Sequence, residues 1–230
     1  TPHDGYFSYN KYFLIFPDTK SELILYKVDG SPPSNSVLIL GEMIGLQITT
    51  KDVDILNMEH KSEEFKKINP MGTLPALADG EYCISESHAT MKYLLEVYGT
   101  GDQKEALYPS DPKTRGMVDQ VMFFDTGVLF IRLGAIFQGA KCPTEKQRQA
   151  VDDAYSVLEA YLKNSYLACD HMTLADIGAA TTTNALQVSH KLDENKMNEH
   201  ALFKKINAPG LAKYTHTMKS CWEKNQRADA

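Results

Sequence analysis

The feature that most constrains the fold is a change of pattern near the middle of the 230 residues. Residues 22–99 alternate short apolar runs, typical of strands, with amphipathic segments, and they predict the order strand, helix, strand, helix, strand, strand, helix. After residue 112 no strand pattern recurs, and amphipathic helical segments follow one another. Such a chain predicts two domains, an α/β unit followed by an all-helical unit.

Local sequence signals give the expected boundaries. Residues 1–21 carry six aromatic side chains without a helix or strand period and are interpreted as an extension. Residues 22–101 are predicted to form the α/β domain, and the polar, proline-containing segment 102–112 is interpreted as a linker. Residues 113–230 are predicted to form the helical domain, with helices at 113–139, 145–164, 173–188, 195–206 and 211–225.

The net charge, the cysteine pattern and the length of the apolar runs exclude several classes of function. The formal net charge is -6 at pH 7, which argues against nucleic acid or an anionic membrane as partner, because both attract basic surfaces. The four cysteines show neither C-x-x-C spacing nor a usual zinc pattern with histidine, so reduced thiols are expected. The apolar runs are shorter than a membrane helix requires. We therefore expect a cytoplasmic protein without a metal centre or a bound cofactor.

Four motifs occur in order along the chain. The first is the loop GSPPS (30–34) after the first predicted strand, and the second is NMEHKSEEFKKINPMGTLPAL (57–77). The third, ISESHA (84–89), begins a helix, and the fourth, MTLADIGAA (172–180), contains a helix capping box. Each motif is weak alone. Together, at these spacings, they resemble the cytosolic glutathione transferases, most of all the insect delta and epsilon types.

The resemblance extends over about residues 22–225. It implies a thioredoxin-like N-terminal domain that binds glutathione and a helical C-terminal domain that binds a hydrophobic substrate. The implied activity is transfer of the glutathione thiolate to hydrophobic electrophiles in detoxification, with peroxidase or isomerase activity as a related use. Glutathione is then a co-substrate. A homodimer is also expected, because the predicted helix 113–139 carries apolar residues on more than one face.

A hydroxyl next to a helix N-terminus suits thiol chemistry. Only the thiolate of glutathione attacks an electrophile, and a thiol with a pKa of roughly 8.5 is mostly protonated at neutral pH. A donor that hydrogen-bonds the sulfur lowers that pKa, and the helix dipole assists. By the resemblance this donor is Ser31, as a stabiliser of the thiolate and not as a nucleophile. Ser34 stays open as the donor, and Ser31 stays open as a plain helix cap.

The second motif is expected to bind the middle and the glycyl end of glutathione. By the resemblance Pro75 follows a cis peptide bond, so that the backbone of Leu74 pairs with the cysteinyl part like an added strand. His60 matches a family residue near the glycyl carboxylate, and an ordinary surface histidine is the alternative. Gly72 stands where the family usually has histidine, which removes one polar contact.

The third motif is expected to bind the γ-glutamyl end. Ser87 resembles the ligand of its carboxylate and Glu86 the ligand of its ammonium group, at a helix start that favours an anion. His88 replaces the usual arginine and cannot make a bidentate contact with a carboxylate. Asp125 matches a family acid near the dimer interface that assists the ammonium group. An acid paired with a neighbouring cation is the alternative for Asp125.

The hydrophobic substrate site is expected between the first loop and the long helix of the helical domain. The residues that the resemblance assigns to it are Pro33, Phe123, Phe130, Ile136 and Phe137. A plain core role is the alternative for most of the aromatic residues in this set.

Three departures from the family pattern, at Asn35, Gly72 and His88, weaken the expected contacts with glutathione. Asn35 stands where the family usually has arginine. Each loss costs about 1 to 3 kcal/mol if the missing group faced the ligand. A carrier of hydrophobic ligands is therefore the alternative function, and a scaffold subunit is a third. The enzyme is preferred because Ser31, Pro75, Glu86 and Ser87 are retained.

Overall fold

The structure is a computed structural model that describes residues 22–137, 144–162 and 166–190. The predicted extension 1–21 and the predicted helices 195–206 and 211–225 lie outside these described residues. Within them, an α/β part is followed by a helical part, as the sequence pattern predicts. None of the helices in this portion of the chain is long and apolar enough to span a bilayer.

The α/β part is built on a mixed four-stranded sheet with the strand order β2-β1-β3-β4. β1 (Leu23–Lys27) pairs in parallel with β2 (Thr49–Asp52). β3 (Ala76–Asp79) runs antiparallel to both β1 and β4 (Tyr82–Ser85). A helix connects the two parallel strands, and an antiparallel hairpin completes the sheet. This is the thioredoxin-like arrangement expected from the sequence.

Capping residues explain where the helices of the α/β part begin. α1 (Pro32–Met43) begins after Ser31, with prolines in its first turn, where the missing N–H groups need no partner. A 3-10 turn (Glu59–Lys61) leads into the short α2 (Glu63–Lys66), which Ser62 caps by accepting a hydrogen bond from the N–H of Phe65. α3, Ser87–Tyr98, ends at Gly99, as predicted.

Three segments differ from the predicted element bounds. The strand predicted at 47–55 is only the four residues of β2, and the helix predicted at 62–69 is only the four residues of α2. The segment 102–112, expected to be an irregular linker, contains α4 (Gly101–Leu107). A capping box between Thr100 and Gln103 starts this helix. Pro109 favours the end of α4 at Leu107, because the residue before a proline disfavours the helical conformation, and Pro112 begins the next helix.

The helical part begins with one long, uninterrupted helix. α5 (Pro112–Phe124) and α6 (Phe130–Phe137) are joined by a π-helical turn (Asp125–Leu129). The helix predicted at 113–139 is therefore present through residue 137. π-helical turns inside α-helices are rare in proteins, and those that occur often lie at functional sites. α7 (Glu145–Tyr161) and α8 (Leu174–His190) complete the described helices.

Asp176 anchors the start of α8. Its Oδ2 accepts hydrogen bonds from the backbone N–H and the hydroxyl of Thr173, at 2.8 and 2.9 Å. Its Oδ1 accepts the N–H of Leu167 at 2.9 Å. Burial raises the pKa of Asp176, and the hydrogen bonds to its carboxylate oppose that shift. The TLAD segment is therefore a folding device, as its capping-box pattern indicates.

The two parts share one apolar core in which α1 packs against both α3 and α8. The interior also contains a number of polar side chains carried by α1, α3 and α8. The buried polar residues of these three helices are Ser34, Asn35, Ser36, Ser87, Thr90, Asp176, Thr181, Thr182, Thr183 and Asn184. α1 is thus partly covered by the helical part, so a site beside α1 can contain groups from both domains.

Candidate functional site

The register of the strands places four chain segments at one edge of the sheet, namely the edge where β1, β2 and β4 end and β3 begins. Tyr26, near the end of β1, pairs with Ala76, the first residue of β3. Ala76 also pairs with Ser85, the last residue of β4. β2 ends at the same edge, because its last residue, Asp52, pairs with Lys27 at the end of β1. The segments that follow β1, β2 and β4 therefore start beside the segment that precedes β3.

Lys27 ties the strand ends together at this edge. Its ammonium group forms ion pairs with Asp29, at 2.5 Å, and with Asp52. Burial alone would lower the pKa of Lys27, but its hydrogen bonds to the two carboxylates outweigh burial and raise the pKa. The lysine is therefore a charged structural link between β1 and β2.

Ser31 lies at this edge as the N-cap of α1 and is half-buried. Its Oγ accepts the N–H of Ser34 at 3.4 Å, which is long for a hydrogen bond. Because a hydroxyl accepts with its lone pairs and donates with its hydrogen, capping leaves the O–H of Ser31 free for a ligand. Ser34, the alternative donor, is 0% exposed. Exposure therefore favours Ser31 as the hydroxyl that contacts a ligand.

The first turn of α1 contains two buried polar groups that have no hydrogen-bond partner among the described residues. They are Oγ of Ser34 and Nδ2 of Asn35. Asn35 is 4% exposed, so water reaches it poorly. Leaving a buried donor unpaired costs about 1 to 3 kcal/mol, and such groups in a folded protein call for an explanation. A bound polar ligand near this turn is one such explanation.

The start of α3 combines a strained backbone with a helix N-terminus. Glu86 precedes the helix with φ of 67° and ψ of 106°, a conformation that residues other than glycine rarely adopt. Such residues cost on the order of 1–3 kcal/mol and cluster at ligand sites. Ser87, the first helical residue, is buried. The unpaired N–H groups of this first turn favour an anion.

A polar contact between His88 and Asp125 joins the start of α3 to the helical part. Nε2 of His88 lies 3.0 Å from Oδ2 of Asp125, and their side chains are 12% and 6% exposed. Asp125 is the first residue of the π-helical turn. Its second oxygen, Oδ1, is buried and has no hydrogen-bond partner in the part of the chain that is described. The pair thus brings Asp125 to the site and leaves one carboxylate oxygen available.

Gly178 of α8 lies directly against His88 and Asp125. A Cβ atom at this position would lie 2.5 Å from Nε2 of His88 and 3.1 Å from Oδ2 of Asp125. The first distance is shorter than any real contact of a Cβ atom, so even alanine would displace the imidazole. α8 therefore approaches the pair closely only because residue 178 is glycine. Gly178 is a positioning residue that the motif reading did not single out.

The segment after β2 carries His60 and a cation that the sequence reading missed. His60 is half-buried, and its Nδ1 is without a partner among the residues described. The ammonium group of Lys61 donates to the carbonyl oxygens of Gly72, at 2.6 Å, and Met71, at 3.1 Å. Gly72 has a φ of 58°, and a Cβ there would collide with the carbonyl of His60. This close contact explains the glycine, and Lys61 supplies a positive charge beside it.

The peptide bond between Leu74 and Pro75 is cis, which confirms the prediction for this position. Pro75 is buried immediately before β3. Leu74 is half-buried and packs against a small apolar cluster that includes Val53 and Phe65. The role of the Leu74 backbone toward a ligand stays a prediction.

The residues predicted for a hydrophobic substrate site differ in exposure. Phe123 is 75% exposed and Phe130 is 39% exposed, whereas Ile136 is buried in the core. Pro33 is half-buried in the first turn of α1. The side chain of Phe137 lies outside the described part of the structure. The two exposed aromatic residues are free to contact a ligand or a partner, and the substrate role of the set stays a prediction.

Family comparisons agree with this two-part architecture. Residues 21–96 match the family described as "Glutathione S-transferase, N-terminal domain", and residues 121–219 match "Glutathione S-transferase, C-terminal domain". Among curated proteins, the chain is 34% identical over 205 residues to Glutathione S-transferase 1 of Manduca sexta, covering 82% of this chain and 93% of that protein.

Solved structures show the same similarity. A delta-class glutathione transferase of Nilaparvata lugens is 30% identical with a TM-score of 0.73, covering 86% of this chain and 99% of the other. An epsilon-class glutathione S-transferase of the housefly, Musca domestica, is 31% identical with a TM-score of 0.71, covering 86% and 98%. A glutathione transferase homologue of Drosophila mojavensis, solved with bound glutathione, is 31% identical with a TM-score of 0.73, covering 87% and 97%.

The fold therefore defines a two-domain protein with a thioredoxin-like domain followed by a helical domain. The chain belongs to the glutathione S-transferase family and resembles the insect delta and epsilon class structures. It is homologous to curated enzymes of this family.

Gly178→Ala should destabilise the fold, because the new methyl group collides with His88 against Asp125. Overpacking of this kind costs about 1–3 kcal/mol. Gly134→Ala on α6 is the matched control, since a Cβ there meets nothing within 4 Å. The control should be neutral or stabilising by up to about 1 kcal/mol, because alanine is the better helix former. Chemical denaturation measures both, and equal stability of the two variants would contradict the close contact.

Proposed function

We propose that this protein is a glutathione transferase that joins the glutathione sulfur to hydrophobic electrophiles and so serves detoxification. The main support for the proposal is the strand register. It places Ser31, Glu86 and Ser87 and the N-termini of α1 and α3 at the same edge of the sheet. The homologue of Drosophila mojavensis was solved with bound glutathione, which supports this co-substrate. A cytoplasmic location and peroxidase or isomerase use of the same thiolate belong to the proposal.

In the proposed reaction, Ser31 stabilises the glutathione thiolate. The thiol loses its proton to solvent, and the hydroxyl of Ser31 donates a hydrogen bond to the sulfur anion at the N-terminus of α1. The sulfur then attacks the electrophilic carbon with its electron pair. A carbon–sulfur bond forms, and the leaving group departs with the pair of its broken bond. The serine keeps its own proton throughout, so it is a donor and not a nucleophile.

The γ-glutamyl end of glutathione would bind where α3 begins. Its carboxylate suits the N–H groups of the first turn and the hydroxyl of Ser87. Its ammonium group suits Glu86 and the unpartnered Oδ1 of Asp125. His88, held on Asp125 through Nε2, contributes positive charge near the carboxylate when the ring is protonated. This arrangement replaces the arginine that the family usually has at residue 88.

The glycyl end would bind near the segment that follows β2. His60 is the residue assigned there by resemblance, and the ammonium group of Lys61 lies beside Gly72. Lysine binds a carboxylate as a point charge. Lys61 therefore compensates for the histidine that the family usually has at residue 72. The electrophile would lie beside the sulfur, against Pro33 and the exposed face that contains Phe130.

A carrier of hydrophobic ligands is the second candidate function. It is favoured by the unpaired Nδ2 of Asn35, which occupies the usual position of an arginine. Glutathione binding by calorimetry and turnover of an activated aryl halide distinguish the two. Binding without turnover would favour the carrier, and turnover at an ordinary enzymatic rate would exclude it.

Ser31→Ala should lower kcat with glutathione and an activated aryl halide by about tenfold to a hundredfold, with a smaller change in KM for glutathione. A hydrogen bond to a charged group is worth about 1.5–3 kcal/mol, so the pKa of the bound thiol should rise by about 1–2 units. The ultraviolet absorbance of the bound thiolate, followed against pH, measures that rise directly.

Ser34→Ala is the matched control for Ser31→Ala, because it removes a hydroxyl three residues away that is fully buried. We expect Ser34→Ala to leave the thiol pKa unchanged. A shifted pKa in Ser34→Ala with an unchanged value in Ser31→Ala would assign the thiolate to the other serine.

Glutathione affinity should fall between pH 6 and pH 8 if protonated His88 helps to bind the γ-glutamyl carboxylate. Histidine is the side chain that ordinarily changes charge in this range. His88→Arg should bind glutathione with little dependence on pH, because arginine stays charged. Calorimetric titrations at several pH values test this, and equal, flat profiles in both proteins would show that His88 contributes no charge.

A homodimer is the expected assembly. Large apolar side chains are exposed in both domains, with Leu56 after β2 at 90% and Ile131 on α6 at 62%. Contiguous exposed apolar patches mark interaction surfaces, and Leu56 and Ile131 are candidates for such a patch. A two-fold interface between the α/β part of one copy and the helical part of the other would cover both residues.

Sedimentation velocity at micromolar concentration should give about twice the chain mass of 25.8 kDa. Leu56→Asp and Ile131→Asp should each shift the protein toward the monomer, because they place charge in an apolar interface. Val157→Asp on α7 is the control, since Val157 is also exposed but lies on a different helix. A wild-type mass near 26 kDa would contradict the dimer.

A further inference from the structure

A cluster of three side chains lies outside the candidate glutathione site, in the loop between α7 and α8. Cys169, Asp170 and His171 are consecutive, and their ligand atoms all lie within 4.8 Å of one another. Nδ1 of His171 is 2.8 Å from Oδ1 of Asp170. Sγ of Cys169 is 3.6 Å from Nδ1 and 3.7 Å from Nε2 of the same ring. A thiol, a carboxylate and an imidazole therefore converge on one point.

The backbone of this loop is fastened on both sides of the cluster. The N–H of Leu167, before the cluster, and the N–H of Thr173, after it, both donate to the buried carboxylate of Asp176. The N–H of Tyr166 also donates to the carbonyl of Cys169, at 3.3 Å. The three side chains are thus held on a loop whose two ends share one anchor. Supporting hydrogen bonds of this kind preorganise a binding site.

The separation between the thiol and the imidazole suits a tetrahedral metal ion. Zinc binds thiolate sulfur at about 2.3 Å and imidazole nitrogen at about 2.0–2.1 Å, which places the two ligand atoms about 3.6 Å apart in tetrahedral geometry. Sγ of Cys169 and Nδ1 of His171 have this separation. The carboxylate is closer to the ring, at 2.8 Å, because the two groups now share a hydrogen bond. A small outward movement of the carboxylate would bring its oxygen to a ligand position.

We propose that Cys169, Asp170 and His171 form a binding site for one zinc ion, with water as the fourth ligand. The thiol of Cys169 now donates to the carbonyl of His171 at 3.3 Å. When zinc binds, the S–H bond breaks, its proton leaves to solvent, and the sulfur electron pair forms the bond to zinc. Asp170 and His171 are exposed, so zinc can enter and water can complete the coordination.

The proposed zinc site lies outside the candidate glutathione site, so its role would be to stabilise the loop and not to take part in the glutathione reaction. It closes the loop that precedes α8, and α8 packs against α1. Zinc should therefore stabilise the helical part by holding the start of α8 in place. Any ligand that binds only the folded protein stabilises it by mass action.

Isothermal titration of the full chain, without an affinity tag and after treatment with a chelator, tests the site with zinc chloride. We expect one zinc ion per chain and a rise in Tm. Cys169→Ser and His171→Gln should each weaken binding by at least about tenfold and abolish the rise in Tm. Cobalt chloride gives a second readout, because a thiolate ligand to cobalt produces a charge-transfer band that Cys169→Ser removes.

Cys83→Ser is the matched control, since Cys83 is an exposed free cysteine on β4, away from this loop. It should bind zinc like the wild type. Circular dichroism of the apo proteins checks that the variants are folded. The proposal is overturned if the wild type binds no zinc, or if folded Cys169→Ser and His171→Gln bind zinc as tightly as the wild type does.

Discussion

The pairing of β3 with both β1 and β4 is the constraint on which the rest of the site depends. Ala76, the first residue of β3, faces Tyr26 on one side and Ser85 on the other. A slip of one residue in this register would turn the side chains of β3 to the opposite faces of the sheet. It would also separate the loop before β3 from the starts of α1 and α3. The apolar burial of β3 thus determines where Ser31, Pro75 and Glu86 lie relative to one another.

The sequence predicted the elements whose signals are local. The strands around the Asp79-Gly80 turn, the cap at Ser31 and the glycine at the end of α3 each depend on a few neighbouring residues. The cis bond before Pro75 was predicted from the family motif, and the structure has it. The helix at 101–107 was missed, although Thr100 and Gln103 form a recognisable capping box. The nearby prolines were given more weight than the cap.

Contacts between distant segments could not be read from the sequence. The contact of His88 with Asp125 brings together residues 37 positions apart, and the sequence indicates a possible interaction of the two but not its geometry. The carboxylate of Asp125 belongs to a π-helical turn, which has no sequence signature as clear as that of a cap. Lys61 was missed because its importance comes from the carbonyl of Gly72, which the fold places beside it. These features arise from tertiary packing, which local patterns do not encode.

The structure also changes the meaning of the three departures from the family pattern. Gly72 is required by the close approach of the turn that carries His60, and the same approach brings the cation of Lys61 to this position. His88 is shorter than arginine, yet it reaches Asp125, and α8 lies close against the pair because Gly178 lacks a side chain. Under the proposed function, Lys61 and the contact of His88 with Asp125 would compensate for two of the three departures. Asn35 has no such compensation among the described residues, since its buried amide remains unpaired. Under the proposed function, the cost of departing from the family pattern is therefore concentrated at the first turn of α1, next to Ser31. A weakness in glutathione binding would then originate there and not at the start of α3.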